Sequence, residues 1–214
     1  MSEGLQHQGS EEWLRARVGK VTASRVSDVV ARTKTGWGAS RANYMAELVA
    51  ERLTGIPAPQ FTSQAMRWGT ETEPLARAAY EFKFDVDVTT VGFIPHPTIA
   101  MTGASPDGLV GDVGLVEFKC PNTATHIDTL LGAAIDKEYA LQMQWQMACT
   151  DRKWCDFVSF DPRMPPAMQL HVRRVARDEI LIATLVAGVA EFLDETGDKI
   201  IKLNDIYLEK DKAA

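Results

Sequence analysis

Residues 102–121 read T-G-A-S-P-D-G-L-V-G-D-V-G-L-V-E-F-K-C-P, and the side chains in this stretch that can do chemistry are Asp107, Glu117 and Lys119. Two apolar runs, 109–110 and 115–118, are separated by Gly111, Asp112 and Gly114, the pattern of a strand, a tight turn and a returning strand. Side chains two apart on a strand share a face, so Glu117 and Lys119 project together while Val116 and Phe118 enter an apolar interior. Asp107 lies ten residues before Glu117, and a hairpin folded over the glycines returns its carboxylate beside the glutamate. Two adjacent carboxylates repel unless a cation lies between them, and oxygen ligands without His or Cys suit Mg²⁺ or Mn²⁺ better than Zn²⁺. A pair of such ions about 3.5–4 Å apart stabilises the attacking and leaving oxygens of phosphodiester hydrolysis. Beside them Lys119 would orient or deprotonate the attacking water, or neutralise charge developing on phosphorus, and the spacing leaves those roles open. The competing reading is an ordinary P-D-G turn followed by an exposed strand face.

The elements that must position this triad follow from periodicity. Ser10 reads as the N-cap of a short helix that ends at Gly19, and Thr22-Ala23-Ser24 opens a second helix carrying Val26, Val29 and Val30. The first turn of that second helix, with Arg17 and the Thr22 or Ser24 hydroxyl, would make a phosphate pocket, with plain capping as the alternative. A basic loop at 33–39 precedes a helix at 40–54 with Tyr44, Leu48 and Leu53 towards the core, stopped by Gly55 and Pro57. Thr70 and Glu73 match a capping box, predicting a helix over 73–84 in which Glu73 is a cap. Strands are expected at 88–94 and 99–103, leading into the hairpin. A helix at 136–150 carries Tyr139, Gln142 and Gln146 as a polar stripe opposite Leu141 and Trp145, a stripe that is informative only if it faces the carboxylates. Strands at 153–160 and 168–175 and a long helix at 177–203, with Ile180, Leu181, Leu185, Val189 and Phe192 buried, complete the order. The expected fold is α/β (mixed α+β), a central mixed sheet flanked by helices with the metal site at one sheet edge.

With 214 residues and 45% hydrophobic content the chain can bury one sizeable core, so a single domain over 1–214 is expected, with 1–10 and 205–214 flexible. Cys120, Cys149 and Cys155 form no C-x-x-C pair and are odd in number, which predicts reduced thiols and a cytoplasmic setting rather than a disulfide framework. No signal core or membrane-length apolar run is visible. A net charge of −6 argues against indiscriminate coating of nucleic acid. The charge is unevenly placed: residues 13–46 hold seven Lys or Arg (Arg15, Arg17, Lys20, Arg25, Arg32, Lys34 and Arg41) against Asp28 alone. Trp13 and Trp37 lie in that segment, which reads either as a nucleic-acid-facing region or as a solvated helical face over core tryptophans.

Six blocks in order carry a resemblance: W-L-R-A-R-V-G-K-V-T-A-S (13–24), W-G-T-E-T-E (68–73), S-P-D-G (105–108), L-V-E-F-K-C-P (115–121), Y-A-L-Q-M-Q (139–144) and F-D-P-R-M (160–164). In them the sequence resembles the lambda exonuclease/YqaJ family of phage recombination nucleases, in the P-D…E-x-K group with the restriction-endonuclease-like fold. The resemblance implies that Asp107 and Glu117 ligate two Mg²⁺ ions (Mn²⁺ as substitute) with the Phe118 carbonyl, that Glu73 completes the acidic cluster, and that Lys119 acts on the nucleophilic water. It maps a 5′-phosphate pocket onto Arg17, Ser24, Ser105 and Gln142, with Tyr139 beside the scissile region. Where the lambda enzyme places an arginine near the duplex this chain offers Lys34, next to Arg32, and a lysine lacks the planar, multidentate contacts of a guanidinium.

The implied activity is 5′→3′ digestion of linear double-stranded DNA from its ends, 5′-phosphorylated ends preferred, leaving a 3′ single strand. Also implied are a homotrimeric ring threaded by DNA, a single-strand annealing protein as partner, and a phage or prophage origin in a bacterial host. The rival readings are a structure-specific or Cas4-like endonuclease, which commonly needs four cysteines for an iron–sulfur cluster where three exist here, and a non-catalytic module that binds DNA ends.

Overall fold

The structure, a computed structural model, describes residues 8–59 and 62–208. The expected flexible ends at 1–10 and 205–214 therefore lie largely outside the described residues. In chain order the elements are α1 (Glu11–Arg17), β1 (Val21–Thr22), a 3₁₀ turn (Ala23–Arg25), α2 (Val26–Val29), β2 (Arg32–Thr33), β3 (Gly36–Trp37) and α3 (Ala39–Thr54). Next come α4 (Gln64–Phe84), β4 (Val88–Thr89), β5 (Ile94–Pro95), β6 (Thr102–Ala104), β7 (Gly108–Val110), β8 (Gly114–Lys119) and α5 (Thr123–Leu130). The chain continues through α6 (Lys137–Thr150), β9 (Trp154–Phe160), a 3₁₀ turn (Pro166–Met168), β10 (Leu170–Ala176) and α7 (Glu179–Tyr207).

A mixed sheet of order β10-β9-β8-β7-β4 forms the centre, with β8 and β9 parallel and the other pairs antiparallel. The hairpin forms as its pattern dictates. Gly111 supplies the positive φ of 51° at the turn, and Gly108 pairs with Val116. Val116 and Phe118 join Ala76 and Tyr80 of α4 on one face, whereas Leu115 meets Met143 and Met147 of α6 on the other. Helix α6 is buried on two sides, because its Leu141 and Trp145 enter a second core built from Val26, Val29, Tyr44, Leu48, Leu185, Val189 and Phe192. β8 is thus the middle strand, and the expectation of a site at one sheet edge is corrected: the triad strand has a neighbour on each side.

Several local expectations are also corrected. Helix α4 starts at Gln64, its amide of Met66 capped by Ser63 Oγ at 3.1 Å, and Thr70 Oγ1 donates to the Met66 carbonyl within the helix. Glu73 is therefore no cap. Pro74 sits inside this helix, which holds because Ala76 and Tyr80 dock against the sheet on the far side of it. The basic loop at 33–39 is the β2–β3 hairpin and its exit. α5, capped by Asn122 Oδ1 on the Thr125 amide, was not anticipated. Leu53 and Ile180 are exposed, and Ile182 takes the core place expected of Ile180. The last helix runs four residues past 203, to Tyr207.

Candidate active site

Glu117 is a buried carboxylate with three donors. Its Oε1 accepts from Lys119 Nζ and from Gln142 Nε2, both at 2.6 Å, and its Oε2 accepts from Gln146 Nε2 at 2.6 Å. The polar stripe of α6 does face the carboxylates, and the ring of Tyr139, the third member of that stripe, lies 4.7 Å from the Lys119 ammonium. Asp107 immediately precedes β7, and its Oδ2 accepts from the Phe118 N–H at 2.7 Å. The hairpin register thus brings Asp107 across from the strand that carries Glu117. Glu73 reaches the group from α4, paired with Arg77 at 3.3 Å.

Electrostatics record the crowding. Burial, then the neighbouring Glu117 charge, hold the Asp107 carboxyl well above the usual carboxylate range, with Lys119 opposing. Glu73 is raised first by burial and then by Glu117, against the pull of Arg77. Burial works against the Lys119 charge, yet Glu117 and Asp107 outweigh it and raise the ammonium above its ordinary value. In this arrangement Lys119 is a cation.

Among the described residues no three His, Cys, Asp or Glu are gathered at ligand distance as a ready-made cage. The chemistry of the donor set nonetheless suits a hard divalent cation. Glu117 raises the proton affinity of Asp107, a third carboxylate stands behind them, and the Cys120 thiol is pushed up to about 12 by burial and the surrounding carboxylates. Carboxylate oxygens are the hard donors such a cation prefers over sulfur.

The proposed phosphate residues divide. Arg17 and Ser24 line one cavity of 490 Å³ together with Trp13, Lys20, Tyr44 and Glu51. Arg17 stacks on the Trp13 ring at 3.9 Å, and Trp13 Nε1 donates to Ser105 Oγ at 2.9 Å. Burial lowers the Arg17 pKa, partly offset by Tyr44 and Glu51. β1 and β6 run parallel, Thr22 beside Gly103, so the chain leaves both strands at the same end, towards Ser24 and Ser105. Gln142 is not among the residues lining this cavity, and its Nε2 donates to Glu117. Lys34 is exposed at the tip of the β2–β3 hairpin, and Arg32 stacks on Trp37 at 3.7 Å. The basic segment is less free than its count implies: Arg41 is buried in a two-pronged pair with Glu195, and Arg25 is held by Asp28 and Glu47. Gln146 was visible in the stripe but had no assigned partner. Glu51 gave no signal, as its partners lie far away in sequence.

A family model for the YqaJ-like viral recombinase domain matches residues 12–153. The chain belongs to this family. Its fold is the restriction-endonuclease-like arrangement of the family's solved exonucleases. The alkaline exonuclease LHK-Exo of Laribacter hongkongensis is 53% identical with a TM-score of 0.87, covering 96% of this chain and 100% of that one. The same enzyme in complex with dAMP is similar at 52% identity and a TM-score of 0.87. A phage-related exonuclease of Haemophilus somnus 129PT, 16% identical with a TM-score of 0.66 over 86% of this chain and 96% of that one, shares the fold. An uncharacterized protein, R354, of Acanthamoeba polyphaga mimivirus is 24% identical over 164 residues, and the chain spans 28% of its length. These likenesses make this YqaJ-family chain a nuclease of the phage exonuclease type. Among its described residues no helix is long and apolar enough to cross a membrane.

Proposed function

We propose that the chain is a Mg²⁺-dependent 5′→3′ exonuclease that digests the 5′-ended strand of linear duplex DNA to mononucleotides and leaves a 3′ single strand for an annealing protein. The observation that carries the reading is continuity. Ser105, bonded to the Trp13 that Arg17 stacks on, lies two residues from Asp107, so a cationic cavity and a carboxylate cluster share one stretch of backbone.

Asp107 and Glu117, with the Phe118 carbonyl and Glu73 alongside, would hold two Mg²⁺ ions, with Mn²⁺ able to substitute. When bound, these supply a nucleophile of lowered pKa and stabilise the charge on the leaving oxygen. The chain's own residues do the rest. Gln142 and Gln146 fix the Glu117 carboxylate from both oxygens, so its orientation is set before substrate arrives. Lys119, drawn to Glu117 and Asp107, would stabilise the phosphate oxygens, orient the attacking water or take its proton. Arg17 and Ser24, with Ser105 at the rim, receive the terminal phosphate. Tyr139 holds Lys119 in place beside the scissile bond. Lys34 and Arg32 reach the flanking duplex from their hairpin. All three cysteines are free thiols, as suits action in the cytoplasm of a bacterial host.

The test uses end-labelled linear duplex and covalently closed circular DNA. The wild type should degrade the linear form from its 5′ ends in Mg²⁺, stop in EDTA and leave circles intact. Lys119→Ala should slow degradation about a hundredfold or more. Linearised circles would point to an endonuclease, and tight end binding without hydrolysis in Mg²⁺ or Mn²⁺ to a binding module.

A further inference from the structure

Arg17 and Lys20 are the two ends of one β-turn. Val18 has φ −52° and ψ 126°, Gly19 has φ +69°, and the Lys20 N–H donates to the Arg17 carbonyl at 3.0 Å, the geometry of a type II turn. Both end residues line the 490 Å³ cavity. The peptide groups of Gly19 between them are gripped by consecutive residues of α3. The Gly19 N–H donates to Glu51 Oε2 at 2.6 Å, and the Gly19 carbonyl accepts from Arg52 Nε at 2.7 Å. A Cβ at Gly19 would stand 2.7 Å from Arg52 Cγ, so the approach admits no side chain. The other oxygen of Glu51, Oε1, accepts from the Ala58 N–H at 2.8 Å, and Ala58 with Pro57 and Pro59 also lines the cavity. One carboxylate therefore ties two separate wall segments to the last turns of α3.

We infer that Glu51, assisted by Arg52, is the positioning residue that fixes the Arg17–Lys20 turn and so sets the preference for a terminal phosphate. This rests on the reading of the cavity as the seat of the 5′-phosphate. Charge and position make opposite demands on Glu51. As an anion beside the Arg17 guanidinium it opposes phosphate binding by Coulomb's law, so removing it would tighten binding if charge were its only effect. As a clamp it keeps two cations aimed into the cavity, and its loss leaves a glycine-containing turn free to move. The sign of the change separates the two.

Duplexes ending in 5′-phosphate or 5′-hydroxyl are bound to the full chain in EDTA and followed by fluorescence anisotropy, with digestion rates of both measured in Mg²⁺. The wild type should favour the phosphorylated end in both assays. Glu51→Ala should reduce that preference about tenfold in binding and in rate, while scarcely altering the 5′-hydroxyl values. Glu51→Gln keeps one acceptor oxygen and should lose about threefold; it carries the test if the alanine variant does not fold. An unchanged or increased preference in a folded variant overturns the inference and leaves the phosphate reading standing. An equal loss on both ends assigns Glu51 to general stability and also overturns it. A wild type without any preference overturns the phosphate reading itself.

Discussion

The side chains with the most at stake are those whose charge is matched by only a few partners. Arg17 is one. A terminal phosphate carries more charge than an internal diester, so on the proposed function a guanidinium in the cavity would distinguish an end from a continuous backbone. Arg17→Ala should slow digestion of 5′-phosphorylated duplex at least about tenfold, about 1.4 kcal/mol, with little change on 5′-hydroxyl ends; the ratio of the two rates is the observable. Asp161, in the F-D-P-R-M block, is another. Burial alone would raise it, but hydrogen bonds from Arg163, from Thr123 Oγ1 and from the Arg163 amide outweigh burial and hold its pKa down at about 2. A carboxylate with a depressed folded pKa stabilises the protein above its unfolded pKa of about 3.9, and that stability disappears as pH falls towards 2. Asp161→Asn should cost about 2 kcal/mol at pH 7 and little at pH 2, so the gap in urea midpoint between wild type and variant should close on acidification. Arg163 also stacks on Trp68 at 4.4 Å, joining two blocks far apart in sequence.

Elements were legible where their signal is local. The β7–β8 hairpin announces itself through period-two apolar residues around Gly111, and the polar stripe of α6 through its spacing, because strand and helix periodicities are properties of short windows. The start of α4 was misread because Thr70 and Glu73 imitate a cap, and only the packing of Ala76 and Tyr80 on the sheet keeps Pro74 within a continuous helix. Leu53 and Ile180 have helical spacing but no surface to meet. Glu51 is an ordinary polar residue until the fold brings Gly19 to it, and Gln146, visible in the α6 stripe, gains its partner only when the fold brings Glu117 beside it. A tight element contact lies at the start of β8, where a Cβ on Gly114 would stand 2.2 Å from the ring of Trp154, itself covered by Arg174 at 3.5 Å. Gly114→Ala should therefore cost about 2 kcal/mol and lower the thermal midpoint by roughly 6 °C, measured by calorimetry in EDTA, where metal binding does not contribute.

At the scale of the molecule, the proposed function would require a chain of net charge −6 to remain on a polyanion through many cycles. Arg25 and Arg41 are committed to internal pairs, so within residues 13–46 the cations left are Arg17 and Lys20 at the cavity, Arg32 and Lys34 on the β2–β3 hairpin, and Arg15. Few phosphate contacts mean a weak grip on an open surface, and enclosure in a ring would remove the need for a strong one. We expect a homotrimer: light scattering at working concentration should return three times the monomer mass, and a monomer mass would remove this account of persistence on DNA.

The parallel pairing of β8 with β9 also governs when the nuclease can exist. An antiparallel neighbour is reached by a turn, but a parallel one requires a crossover, and here the crossover contains α6, whose Gln142 and Gln146 hold Glu117. The chain bearing Asp107, Glu117 and Lys119 leaves the ribosome well before the helix that orients them, and distant contacts of this kind form late. In refolding from urea, protection of the hairpin amides from hydrogen exchange should precede recovery of DNA cleavage; simultaneous recovery would remove the delay. On the proposed function, an enzyme that destroys DNA ends would thereby be born inert and armed only once its synthesis has passed β9.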